Sequence, residues 1–232
     1  RSSGFALALD GAGSVWAWGA GHDGELGHGK PRQSALPGRV ELPGPVRAIA
    51  ASQASAWAVL ADGSVCFWGN GQMIDLVERG SVRIKQPKRI DGMAGIDRLV
   101  AAHHACAAWT AAGECHVLGG GWENLLGPQD PGPRVRREPR LDGSAGLALG
   151  DRHALAWDAQ GQAMVFGMAN AGALGLGIDQ EDHWQAPGPV SLPGRVLSAA
   201  CGIDVSLVVV ACACRFGTRD CRLRPAASTV AW

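Results

Sequence analysis

The feature that most constrains this chain is an internal period of about 50 residues. An aromatic or aliphatic residue followed by glycine recurs as Trp18-Gly19, Trp68-Gly69, Leu118-Gly119, Phe166-Gly167 and Phe216-Gly217, which sets the marker glycines 48 to 50 residues apart. Seven residues after each of the first four comes a leucine: Leu26, Leu76, Leu126 and Leu174. A proline then precedes an aliphatic residue, in Pro37…Val40, Pro87…Ile90, Pro139…Leu141 and Pro187…Val190. Fourteen residues before the marker, Phe5, Ser55, Ala105 or His153 opens an apolar stretch. Landmarks this independent do not share one spacing by chance. A fixed period of this length is the signature of an architecture stacked from one supersecondary unit.

Within each unit the local signals are those of strands. Phe5–Leu9 and Val15–Trp18 flank a glycine-rich turn at Gly11–Gly13, and Trp57–Leu60 and Val65–Trp68 flank Asp62-Gly63. An Asp-Gly pair between short β-prone runs predicts a two-residue hairpin whose central positions both take positive φ. Ala112-Gly113 and Gln160-Gly161 occupy the same place in the next two units. A third strand is expected over Arg39–Leu42 and a fourth over Val46–Ala50. Four short strands in about 50 residues is the size of a propeller blade. A helical solenoid would need apolar residues at i, i+3 and i+4, and its helices would not tolerate 34 glycines. The expected fold is therefore an all-β propeller, with blades at 2–52, 53–102, 103–150 and 151–202 and a degenerate fifth plus tail over 203–232.

The same residues resemble a known family. His153-Ala-Leu-Ala, Gly161, Phe166-Gly167, Asn170, Gly172, Leu174-Gly175 and Gly177 follow the pattern of the regulator of chromosome condensation repeat. Leu7-Ala-Leu9, Gly13, Trp18-Gly19, Gly24, Leu26-Gly27 and Gly29 follow it too. Units two and three keep the hairpin and the leucine but lose most of the later glycines, with Ile74, Val77, Asn124 and Gln129 in the pattern. The resemblance covers residues 2–202 and implies a β-propeller, seven-bladed in well-known members. Four repeats and a remnant cannot make seven blades. With Arg1 rather than Met at the start and no Gly-x-Leu-Gly after Phe216-Gly217, the expectation is a piece of a longer protein or an open arc. An open arc would leave an apolar face and a strand edge bare, and so invites self-association.

Composition narrows the function. Lys plus Arg and Asp plus Glu balance at 21 each, which removes the simplest case for nucleic-acid or anionic-membrane partners. The longest apolar run, Leu207–Cys214, is too short to span a bilayer. Seven scattered cysteines, an odd number, read as free thiols filling small core positions, which favours a reducing compartment such as the cytoplasm. The glycine clusters 19–29 and 167–177 lack the following helix and the Lys-Ser/Thr of a phosphate loop, so they read as turns. His103, His104, Cys106, Cys115 and His116 do not converge across a hairpin, and Cys212-x-Cys214 with Cys221 lacks a second pair, so no metal site is expected. Arg134, Arg136, Arg137 and Arg140, ringed by prolines, read as a solvated loop. No nucleophile, base or paired carboxylates stand in a catalytic pattern, so the reading is of a non-enzyme without a cofactor.

What the resemblance implies about function is a guanine-nucleotide exchange factor for a Ran-like GTPase, a protein-binding scaffold or a chromatin-docking module. Exchange in the family's founder resembles displacement of nucleotide by an inserted β-wedge, and units of 48 to 50 residues leave no room for one. Chromatin docking resembles a basic-tail interaction, and no long basic tail is present. A protein-binding scaffold is the remaining expectation, with a small GTPase as the alternative partner. Trp57, Trp109 and Trp157 recur on the first hairpin strands and read as blade packing. The candidate partner-binding residues are the variable ones after each marker glycine: His22, Asp23 and Glu25; Trp122, Glu123 and Asn124; and Asn170. Asp182, His183 and Trp184 follow in the same connection, with Trp122 and Trp184 as the aromatic anchors.

Overall fold

The computed structural model describes residues 4–30, 33–71, 83–102, 105–120, 125–127, 134–168, 172–177 and 184–211. The chain divides into two compact units, Arg1–Trp122 with Pro131–Asp142, and Glu123–Asp130 with Gly143–Trp232. Nearly all regular structure in both is antiparallel strand.

The first unit holds three sheets. β1 (Phe5–Leu9), β2 (Val15–Gly19) and β3 (Ser34–Val40) form a three-stranded meander. β4 (Val46–Ala51), β5 (Ser55–Leu60), β6 (Val65–Asn70) and β7 (Arg83–Arg89) form a four-stranded one. β8 (Ile96–Ala102), β9 (Ala105–Thr110), β10 (Cys115–Leu118) and β11 (Arg136–Arg137) form the third. The second unit holds the four-stranded sheet of β12 (Gly146–Leu149), β13 (His153–Trp157), β14 (Ala163–Met168) and β15 (Trp184–Pro189), and the pair β16 (Val196–Cys201) and β17 (Ser206–Val210). Every sheet after the first thus takes its opening strand from the end of one repeat and the strand or strands that follow from the next. Val46–Ala51 pairs with Ser55–Leu60, not with the strands before it.

A backbone bond accounts for this phase. The hairpin turns close through the amides of Gly13, Gly63, Gly113 and Gly161, which donate to the carbonyls of Asp10, Leu60, Thr110 and Asp158 at 2.9–3.1 Å. They are i to i+3 turns ending on a left-handed glycine, φ +81° at Gly63, and not the two-residue mirror-image turn that Asp-Gly suggests. The carbonyls of Gly13, Gly63 and Gly161 then accept from Val46, Ile96 and Val196, the first residues of the next inner strands, at 2.8–2.9 Å. One turn therefore finishes a hairpin and starts the following sheet.

The marker glycine is explained by a bulge. The ladder onto the last strand of the sheet slips at Ala17/Gly19 and Phe67/Gly69 by two residues and at Val165/Gly167 by one. At each slip the glycine carries φ of +102° to +106°. A Cβ on Gly69 would stand 2.4 Å from the Ala54 carbonyl oxygen, where no side chain fits.

The core of each unit is built by alternation along these strands. In the first, Val15, Ala17, Leu26, Val40 and Trp68 pack in one cluster, and Trp57, Phe67, Ile96, Leu99 and Leu118 in another. In the second, Leu155, Val165, Leu174, Val196 and Val208 pack together. Each buried aliphatic side chain contributes roughly 1.5–3 kcal/mol of transfer free energy. The recurring tryptophans are core residues, with one refinement to the register. Trp109 and Trp157 pair with Cys115 and Ala163 at the hairpin end, whereas Trp57 pairs with Phe67 two positions deeper and meets it edge-on at 4.7 Å. The basic run is not a loop: Arg136–Arg137 form β11, Arg137 pairs with Asp142 and with Glu114, and Arg140 pairs with Glu138.

Candidate functional site

The loop between β2 and β3 in the first unit shows how a repeat loop is built. Leu26 is buried, and the carbonyl of Glu25 beside it accepts the indole N–H of Trp68 at 2.7 Å. The amide of Gly29 donates to the Lys85 carbonyl of β7 at 2.9 Å. A Cβ at Gly24 would lie 2.8 Å from the Ile84 carbonyl, so the loop backbone lies directly on β7. Two further repeats, both in the second unit, repeat the device at the residue before the leucine. Leu125 carbonyl accepts the Trp184 indole N–H at 3.3 Å, and Ala173 carbonyl accepts the Ser206 hydroxyl at 2.9 Å. In all three the carbonyl preceding the leucine binds a side chain of a strand that follows it.

The candidates divide accordingly. His22 is exposed, and Asp23, half-buried, pairs with Arg83 at 3.0 Å. Glu25 is not a surface residue: it is 1% exposed, its Oε2 accepts the Asp23 amide at 2.8 Å, and its buried Oε1 has no hydrogen-bond partner. Trp184 is not on an open connection either. It opens β15, is half-buried, and stands over Gly127, where a Cβ would come within 2.7 Å of its ring. Trp122, Glu123, Asn124, Asn170, Asp182 and His183 lie outside the described residues. His28 and Lys30 share the exposed side of the first loop with His22 and had no repeat signal to mark them. The leucine signal, by contrast, does point to the carbonyl device one residue earlier.

The titratable groups of the interior are inert. Cys66, Cys106 and Cys115 are buried thiols outside any disulfide. Burial pushes the Cys115 thiol up to about 12 and Cys106 higher, so neither carries a thiolate nucleophile near neutral pH. His153 is buried, with Nε2 unpartnered, and burial lowers its pKa. Among the described residues no three His, Cys, Asp or Glu side chains stand close enough to hold a metal ion; His103, His104, Cys212, Cys214 and Cys221 lie outside them.

Comparison with known proteins bears on this arrangement. The family model for the regulator of chromosome condensation (RCC1) repeat matches residues 12–59. Human E3 ubiquitin-protein ligase HERC2 is 27% identical over 228 residues, which is 90% of this chain and 4% of that protein. The mouse RCC1-like G exchanging factor-like protein is 26% identical over 222 residues, 85% of this chain and 46% of its own length. The solved structure of Prp20p from Saccharomyces cerevisiae superposes with a TM-score of 0.74 at 22% identity, covering 88% of this chain and 53% of that one. The chain thus spans about half, or far less, of the proteins it matches, and the likeness to Prp20p confirms the propeller fold.

Proposed function

The chain belongs to the regulator of chromosome condensation repeat family, and from that premise we propose that it is a non-enzymatic protein-binding scaffold. The observation that carries this reading is the division of labour in the first repeat loop. The Glu25 carbonyl and Leu26 hold the following sheet, while His22, His28 and Lys30 stand in solvent on the same ten residues. Loops held rigidly by a scaffold while their tips vary are where binding residues concentrate. The partner-facing set in this reading is His22 and Asp23 with Trp122, Glu123, Asn124, Asn170, Asp182 and His183. Glu25 and Trp184 serve it from behind, as anchors of the loops.

The relatives support a protein partner without deciding its kind. The mouse protein is named as an exchanging factor, and the Prp20p structure was described with that protein's binding to Gsp1p and histones. Exchange on a small GTPase is therefore the second reading. Against it, the repeats leave no insertion large enough to form a wedge. The ligase name of HERC2 belongs to a protein of which this chain matches 4%. Affinity capture with the tagged chain, analysed by mass spectrometry, tests the scaffold reading. A partner retained by the wild type should be lost on combining His22→Glu, His28→Glu and Lys30→Glu. Equal capture by that variant would remove these loops from the binding surface.

A further inference from the structure

In the first unit, β3 and β7 border a groove of about 750 Å³, within the size range of ligand sites. His28, Arg39 and Arg89 line it together with apolar Leu42 and Pro87, and Glu41 is the one acid in its lining. We propose that this groove binds an extended acidic segment of a protein partner, with an aliphatic residue among its carboxylates. The proposal rests on the protein-binding reading and gives it a ligand chemistry.

Charge is the first argument. β7 reads Arg-Ile-Lys-Gln-Pro-Lys-Arg, four cations and no acid in seven residues, within a chain whose charges balance overall. Arg39 and Lys85 form no ion pair within 4 Å among the described residues, and Arg39 has only the more distant Asp10 carboxylate as an acidic neighbour. Arg89 shares Asp62 at 3.1 Å, but both side chains are about half exposed, so an incoming carboxylate can compete for that guanidinium. Backbone geometry is the second argument. β3 and β7 are edge strands of their sheets; the loop at Gly24 and Gly29 covers β7 at Ile84–Lys85, which leaves Gln86–Arg89 of β7 and Gly38–Arg39 of β3 as the backbone bordering the groove. The local cations repel a basic segment and attract an acidic one, while Pro37 and Pro87, which lack an N–H, leave side-chain contacts rather than a continuous ladder to hold it. The apolar floor is the third. Leu42, Pro43 and Pro87 give a small anion nothing to use, whereas a peptide side chain buries against them.

The test is fluorescence anisotropy of a labelled peptide of about 12 residues, roughly 40 Å when extended, rich in Asp and Glu with leucine at intervals. It is titrated with the full chain at about 0.15 M salt, where charges more than about 8 Å apart are screened. Saturable binding is expected. Combining Arg39→Glu with Arg89→Glu should weaken it about tenfold or more, and Glu41→Lys should tighten it about threefold. Arg152→Glu, an exposed charge reversal in the other unit, should leave it within about twofold. Should the double variant melt below wild type, Arg39→Gln alone decides, since Arg39 is exposed and forms no ion pair among the described residues. The proposal is overturned by absent saturation, by equal weakening in Arg152→Glu, or by displacement with inorganic triphosphate or an oligonucleotide at matched charge. A partner captured equally by the Arg39/Arg89 variant overturns the groove and spares the scaffold, whereas accelerated nucleotide release defeats the scaffold whatever the peptide does.

Discussion

Gly69→Ala isolates what the repeat's marker glycine does. Its φ of +106° is one that side chains rarely adopt, and holding alanine there costs about 1–3 kcal/mol. The new Cβ would also press on the Ala54 carbonyl at 2.4 Å and on Ser55 Cα at 2.7 Å, both backbone atoms that cannot swing away. Overpacking of that kind costs about another 1–3 kcal/mol. It also disturbs the 2.8 Å bond from the Asn70 amide to that same carbonyl. The sum is about 4 kcal/mol, a large share of a domain's usual ~5–15 kcal/mol. For a chain of this size that is roughly 8–16 °C in melting temperature. The control is Gly11→Ala, where no atom lies within 4 Å of the added Cβ and φ is not positive. Tryptophan fluorescence in a urea series should show the two variants separated by several kcal/mol. If they fall within about 1 kcal/mol of each other, the bulge is not what fixes glycine in the repeat.

Trp68→Phe keeps most of the buried ring but orphans the Glu25 carbonyl, and should cost about 1–3 kcal/mol in the same denaturation assay. Trp184→Ala should lower the melting temperature, because the indole closes over Gly127 and bonds the Leu125 carbonyl. The Cys115 thiol is raised by burial from 9.0 to about 12, so the fold binds that proton more tightly than the unfolded chain; stability should be full below pH ~9 and fall as pH climbs towards 12, less so in Cys115→Ala. His153 has the opposite sign: its lowered pKa means the unfolded chain takes up the proton more readily, so stability should decline as pH falls below about 6.5, less steeply in His153→Gln. Exposed Leu197, Leu207 and Val209 on the last sheet should drive self-association visible by light scattering, and Leu207→Asp with Val209→Asp should reduce it.

The repeat was legible because five copies multiply signals that are weak singly. The hairpin glycines, the buried Leu26, Leu126 and Leu174 and the all-β class all follow from period and alternation. The phase of the sheets was not, since it depends on where a glycine carbonyl bonds, as Gly63 does to Ile96, and no side chain signals that. Glu25 looked like a surface residue because its neighbours are polar. Its burial is set by Trp68, 43 positions away, and local sequence does not carry that contact. Trp184 sits in a stretch without repeat marks, yet its acceptor lies 59 positions earlier, at a marked place. The β3/β7 groove was equally hidden, because Arg39 and Arg89 belong to different repeats and meet only through the packing of two sheets.

The central claim, a scaffold that binds protein without promoting nucleotide exchange, is tested most directly by release of a fluorescent guanine nucleotide from a Ran-like GTPase in the presence of the full chain. The rate should stay within about twofold of the spontaneous one at micromolar chain. Acceleration of about tenfold or more, a barrier lowered by ~1.4 kcal/mol, would contradict it and make the chain an exchange factor.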